Sequence, residues 1–101
     1  MAQIIWTEPA LSDLEEIAQY IAIDNPDAAR ALVRKTFSTI ERLEAHPNSG
    51  RVPAELSNSR YREVIVGPCR IFYRAMSEKI YVLYIIRSER QLRNYILEGR
   101  G

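Results

Sequence analysis

The chain has 101 residues, 47% of them hydrophobic, which is enough for one domain spanning 1–101 to fold on its own core without a metal or disulfide staple. A formal net charge of +1 conceals segregation: residues 1–50 hold four Lys and Arg against eight Asp and Glu, a balance of −4, and residues 51–101 hold ten against five, a balance of +5. One cysteine, Cys69, excludes a disulfide framework and a Cys-His zinc site, and the longest apolar run, Ile80 to Ile86, is far too short for a bilayer.

The first residues, Met1-Ala2-Gln3-Ile4, lack the charged start and long apolar stretch of a secretory signal, which predicts a soluble, cytoplasmic protein with no membrane contact. Gln3–Thr7 reads as a short strand. Thr7 caps a helix with Pro9 in its first turn, and Leu11, Leu14, Ile17, Ala18 and Ile21 form its apolar stripe. Asp13, Glu15 and Glu16 are predicted to lie on the solvated outer face. Asn25-Pro26-Asp27 starts a second helix, with Ala29, Leu32, Val33, Phe37, Ile40 and Leu43 on one face. The short link between the two predicts an antiparallel hairpin.

Residues 47–59 are rich in Pro, Asn, Ser and Gly and read as a loop. Three strands are predicted next, over 60–66, 69–76 and 80–87, joined by Gly67-Pro68 and Ser77-Glu78-Lys79 into an antiparallel meander. The last of them is apolar throughout, as a central strand is. Leu92, Tyr95 and Ile96 predict a short C-terminal helix. The expected class is α+β: an N-terminal strand and an antiparallel helical hairpin packed on one face of an antiparallel β-sheet, with a short C-terminal helix.

Chemistry narrows quickly. His46, the single histidine, sits beside a proline at a helix end, where it serves the dipole rather than a catalytic pair. No catalytic residue, cofactor or metal is predicted. What stands out is arginine, twelve of the fourteen cations. Its planar fork pairs with carboxylate or phosphate and stacks on aromatic rings. Strand alternation predicts Arg60 and Arg62 on one face of their strand, and Arg70, Phe72 and Arg74 on one face of the next. With helices on one side of the sheet, these are expected on the open other side. Arg87 is expected on the face of Tyr81, Leu83 and Ile85, with Arg90 and Arg93 following in the tail. Such a surface suits an acidic peptide or nucleic acid; the alternative is a solvated face in which Arg62 pairs with Glu63 or Glu78.

The order of these pieces resembles the ParE/RelE superfamily of toxins from bacterial toxin-antitoxin modules, the ParE branch in particular. The resemblance runs from Trp6 to Arg87 and is carried by "EPALSDLEEIAQYIA", "HPNSGR", "RYREVIVGPCRIFYR" and "VLYIIR" in that sequence. It implies a type II toxin neutralised by a cognate antitoxin that wraps it in a hetero-oligomer, with operator DNA contacted only through the antitoxin. ParE members typically poison DNA gyrase, whereas RelE members cut messenger RNA on the ribosome. Target contact is expected at Arg62, Arg70, Arg74, Arg87 and Arg90, and antitoxin contact at Arg60, Phe72, Tyr81, Leu83 and Ile85. With Lys79 read in the turn before the last strand, the sheet is expected to lack lysine and histidine, and arginine is a poor general base, so gyrase inhibition by protein contact is favoured. A ribosome-dependent endoribonuclease, or an inactive relative that only binds its antitoxin, is the alternative.

Overall fold

The computed structural model describes residues 1–56, 58–90, 92 and 94–101, the side chains of Asn94 and Tyr95 excepted. Arg93 and the Tyr95 side chain therefore lie outside the described residues. The elements are β1 (Gln3–Trp6), α1 (Glu8–Asp24), α2 (Pro26–Glu41) with a 3-10 turn at Arg42–Glu44, β2 (Arg62–Val66), β3 (Cys69–Met76), β4 (Lys79–Arg87) and α3 (Asn94–Arg100). No helix among the described residues is long and apolar enough to cross a membrane.

The helix punctuation acts as the sequence predicts. Thr7 Oγ1 accepts from the Ala10 N–H at 3.3 Å and donates to the Val82 carbonyl at 2.7 Å, so one hydroxyl caps α1 and ties it to the sheet. Asn25 alone separates the helices. Its N–H closes α1 on the Ile21 carbonyl, and its Oδ1 caps α2 through the Ala28 N–H at 3.1 Å. A one-residue link leaves only the antiparallel hairpin.

The strand order is β1-β4-β3-β2. The meander is antiparallel, but β1 runs parallel to β4, from Gln3 opposite Lys79 to Trp6 opposite Val82, so the sheet is mixed. Leu14, Leu32, Ile40 and Leu43 bury one face of it against Val66, Ile71, Tyr73, Ile80, Val82 and Ile85. Each such side chain contributes about 1.5–3 kcal/mol by leaving water. On α2 the stripe also includes Thr36, fully buried, while Phe37 is displaced to the rim beside Trp6.

The second face is not open, contrary to expectation. Tyr61, Phe72, Leu83 and Ile86 pack there beneath Leu92 of the C-terminal segment and Leu97 of α3. A β-bulge adds a second correction. Phe72 pairs with Tyr84 but Tyr73 pairs with Val82, so Leu83 is an extra residue on β4. One extra residue inverts the alternation beyond it. Tyr81 and Leu83 keep the second face, whereas Ile85 and Arg87 turn to the helix side.

Candidate binding surfaces

Arg70 is on the second face, as alternation predicts, yet it is only 8% exposed. Its guanidinium is fully engaged within the chain: Nη1 and Nη2 donate to Glu55 at 2.8 Å each, and Nε donates to Glu63 Oε1 at 2.7 Å. Glu63, also buried, takes a further bond from Arg51 Nε at 3.1 Å. Hydrogen bonds from Arg70 lower the Glu55 pKa to about 2, and the same bonds raise that of Arg70. This is a structural clasp. It fixes the loop before β2 to the sheet, so Arg70 does not stand at a surface where a partner meets it.

Arg62 belongs to the helix side, because its register partner is Tyr73 rather than Phe72. Its Nη1 donates to the Gly50 carbonyl at 2.8 Å. Tyr73 Oη completes the arrangement by accepting from the Gly50 N–H at 2.9 Å and donating to the Pro47 carbonyl at 2.8 Å. Arg62 and Tyr73 thus hold the residue 46–51 turn against β2, and neither Glu63 nor Glu78 is Arg62's partner.

The remaining arginines divide between the two ends of the sheet. At one end Arg60 is exposed and bonds Tyr61 Oη at 3.0 Å, while Arg74 reaches the Gly101 carbonyl at 2.8 Å. At the other end Arg87 lies 5.3 Å above the Tyr20 ring and 3.0 Å from Glu89, and Arg90 is exposed. Of the expected antitoxin contacts, Arg60 and the half-buried Tyr81 are reachable. Phe72, Leu83 and Ile85 are each at most 2% exposed and belong to the two cores.

Tyr20, Asp13 and Arg100 are not among the expected site residues. Tyr20, 64% exposed, is the aromatic platform beneath Arg87. Asp13 was expected in solvent but is well covered; its Oδ2 accepts from the Ile85 N–H at 3.0 Å and from Arg100 Nη1 at 2.5 Å. Arg100 also donates to the Leu83 carbonyl at 3.0 Å and lies 4.7 Å over the Tyr84 ring. The signal for Tyr20 is a large aromatic on the polar side of an amphipathic helix. For Asp13 and Arg100 there is none, because residues so far apart in sequence meet each other and the outward backbone groups of β4 only in the fold.

Comparison with known proteins bears on what these surfaces serve. Residues 4–92 match the model of the family described as the ParE toxin of the type II toxin-antitoxin system, parDE. A Sinorhizobium fredii protein named as a toxin, Y4kP, is 34% identical over 89 residues, 88% of this chain and 91% of that protein. Toxin RelE2 of Caulobacter vibrioides is 35% identical over 68 residues, 67% of this chain and 73% of the relative. Among solved structures, a chain of the chromosomal ParDE TA system from P. aeruginosa superposes with a TM-score of 0.74 at 26% identity, covering 88% of this chain and 98% of that one.

Proposed function

The chain belongs to the ParE toxin family of type II toxin-antitoxin systems, and from that premise we propose that it inhibits DNA gyrase by protein-protein contact and is held inactive by a cognate antitoxin. The observation that carries the contact mode is the surface at the end of β4. Arg87 stacks on exposed Tyr20, with Arg90 beside it. Tyrosine and arginine are the side chains most used as energetic centres of protein interfaces. Guanidinium groups stay protonated and hold anions well but serve poorly as proton acceptors, which favours binding over strand scission.

Arg60 and Tyr81, at the opposite end of the sheet, are proposed as antitoxin contacts, and Arg74 stands beside them. Arg62 and Arg70 act on either partner only through the loops they position. Induced expression without antitoxin, followed by growth, DNA breaks and messenger RNA integrity together, tests this reading. Growth arrest with DNA breaks, and loss of supercoiling by purified gyrase, is the expected result. Codon-dependent cuts in translated messenger RNA without DNA damage would overturn it in favour of the RelE-type activity.

A further inference from the structure

β2 is the outer strand at the edge of the sheet away from β1, and Arg51 closes that edge at one residue only. The Arg51 N–H donates to the Glu63 carbonyl at 3.0 Å, and its carbonyl accepts from the Glu63 N–H at 2.7 Å, in an antiparallel bridge. The Glu63 main chain therefore points away from β3. In an antiparallel pair the residue two further on points the same way, so the Ile65 N–H and carbonyl also face outward. No main-chain group among the described residues meets them. The place opposite Ile65 would fall to Ser49, but the chain leaves the edge at Gly50, whose N–H goes to Tyr73 Oη at 2.9 Å.

Beside this open residue lies a groove of about 510 Å3 between β2 and the end of α2, with Leu43 and Val64 in its lining. Its charge is one-sided. Arg42 and Arg51 line it against a single carboxylate, Glu63, which is buried and already bonded by Arg70 and Arg51. Arg51 uses only Nε on Glu63, and its side chain is 68% exposed. Thr39 and Arg42 stand on the groove side of α2 and its terminal turn, and exposed Lys35 shares that side by helical spacing. The acids of α2 are elsewhere: Asp27, in the first turn, pairs with Arg30, and Glu41 lies about 100° round the helix from Arg42.

We propose that this edge takes an extended acidic peptide, paired antiparallel to β2 with one of its residues opposite Ile65. That residue makes both bonds: its N–H donates to the Ile65 carbonyl, and its carbonyl accepts from the Ile65 N–H. Directly opposed side chains share a face, and the flanking ones take the other. An apolar side chain opposite Ile65 therefore lies against a residue that is 47% exposed. The side chains before and after it turn to the helix side, over the groove, where Lys35, Arg42 and Arg51 select carboxylates. The inference stands apart from the target and antitoxin contacts proposed above, which lie elsewhere on the sheet.

Two capped five-residue peptides, one alternating glutamate with valine and one alternating lysine with valine, test it when titrated onto the 101-residue chain at low salt. The acidic peptide should bind about tenfold more tightly than the basic one, and should slow hydrogen exchange at the Ile65 amide about tenfold. Ile65→Pro deletes the N–H and should bind the acidic peptide about tenfold more weakly than Ile65→Ala, which keeps it. The Ile65 N–H is outside the β2–β3 ladder, where an edge strand tolerates proline. Lys35→Gln and Arg42→Gln, both at exposed positions, should each weaken the acidic peptide about threefold with the thermal melt unchanged, a readout that does not depend on Ile65→Pro folding. Equal affinity for the two peptides, equal affinity of the two Ile65 variants, or unchanged exchange at Ile65 under saturating acidic peptide would each overturn the inference. The cations would then serve only as guards that keep the edge from pairing.

Discussion

Arg70 and Glu63 meet at 2.7 Å on the second face of the sheet, each side chain at most 10% exposed. Removing one partner of a buried pair leaves the other as an uncompensated charge, which costs about 3–5 kcal/mol. Arg70→Ala should therefore lower the free energy of unfolding by about that amount in urea titrations. Lysine at 70 cannot replace the fork that reaches two carboxylates at once, so Arg70→Lys should recover only part of the loss. Any fall in toxicity of these variants should follow the folded fraction.

Glu55 makes the same clasp sensitive to acid. Its folded pKa of about 2 lies below the ordinary 4.5, chiefly because Arg70 hydrogen-bonds the carboxylate. A depressed carboxylate stabilises the fold at pH above the unfolded value, and that stability is lost as pH falls from about 4.5 toward 2. Full linkage would be about 3 kcal/mol. Because Glu55 is exposed at the residue level, solvent screening reduces the expected loss to about 1 kcal/mol. Urea midpoints followed down this range should fall more for wild type than for Glu55→Gln, which is neutral throughout.

Gly50 is required by a close approach rather than by its backbone angles. A Cβ there would stand 2.5 Å from Tyr73 Oη and 2.8 Å from the Glu63 carbonyl. One of these is backbone in a paired strand, so it cannot move aside cheaply. Gly50→Ala should cost about 1–3 kcal/mol, as overpacking of a filled site does. Tyr73→Phe frees too little room to rescue it, and a double variant as stable as Tyr73→Phe alone would refute this account.

Helix limits, the hairpin and the meander were legible because their signals are local: Thr7 and Asn25 as caps, Pro9 and Pro26 in first turns, alternation within each strand. Faces were legible only where alternation continues without a break. It places Arg70, Phe72 and Arg74 together correctly. It fails for Ile85 and Arg87 because the extra residue at Leu83 is imposed by pairing with β3, and nothing in "VLYIIR" marks it. Arg62 fails differently, since the relative register of two strands depends on which residue of β2 meets Tyr73. The cover over the second face was missed because Leu92 and Leu97 belong to a segment too short to show a strong periodic pattern.

Asp13 and Arg100 stabilise the bulge by taking its outward groups. Asp13→Ala would leave the Ile85 N–H and the Arg100 guanidinium without this acceptor, at a cost of about 1–3 kcal/mol. Asp13→Asn retains an acceptor and should cost less. Amide exchange should show the effect concentrated at Leu83–Ile85 and α3, with the α1–α2 hairpin little changed.

The arginines themselves give the sharpest functional contrast. Arg87 and Arg90 lie at the surface beside Tyr20, whereas Arg34 and Arg42 project from α2 and its terminal turn into solvent. If the β4 end is a working interface, Arg87→Ala or Arg90→Ala should weaken binding of target or antitoxin by about 1–3 kcal/mol, the range for a charge-assisted contact. Arg34→Ala and Arg42→Ala, away from that surface, should stay within about 0.5 kcal/mol. All four side chains are outside the two cores, so circular dichroism should be unchanged across the set and differences will report contact rather than folding. The two partners separate further by location. Loss of gyrase inhibition from Arg87→Ala with antitoxin affinity retained assigns this end to the target, and the reverse pattern assigns it to the antitoxin. Equal effects from the helix pair and the β4 pair would refute a localised arginine surface.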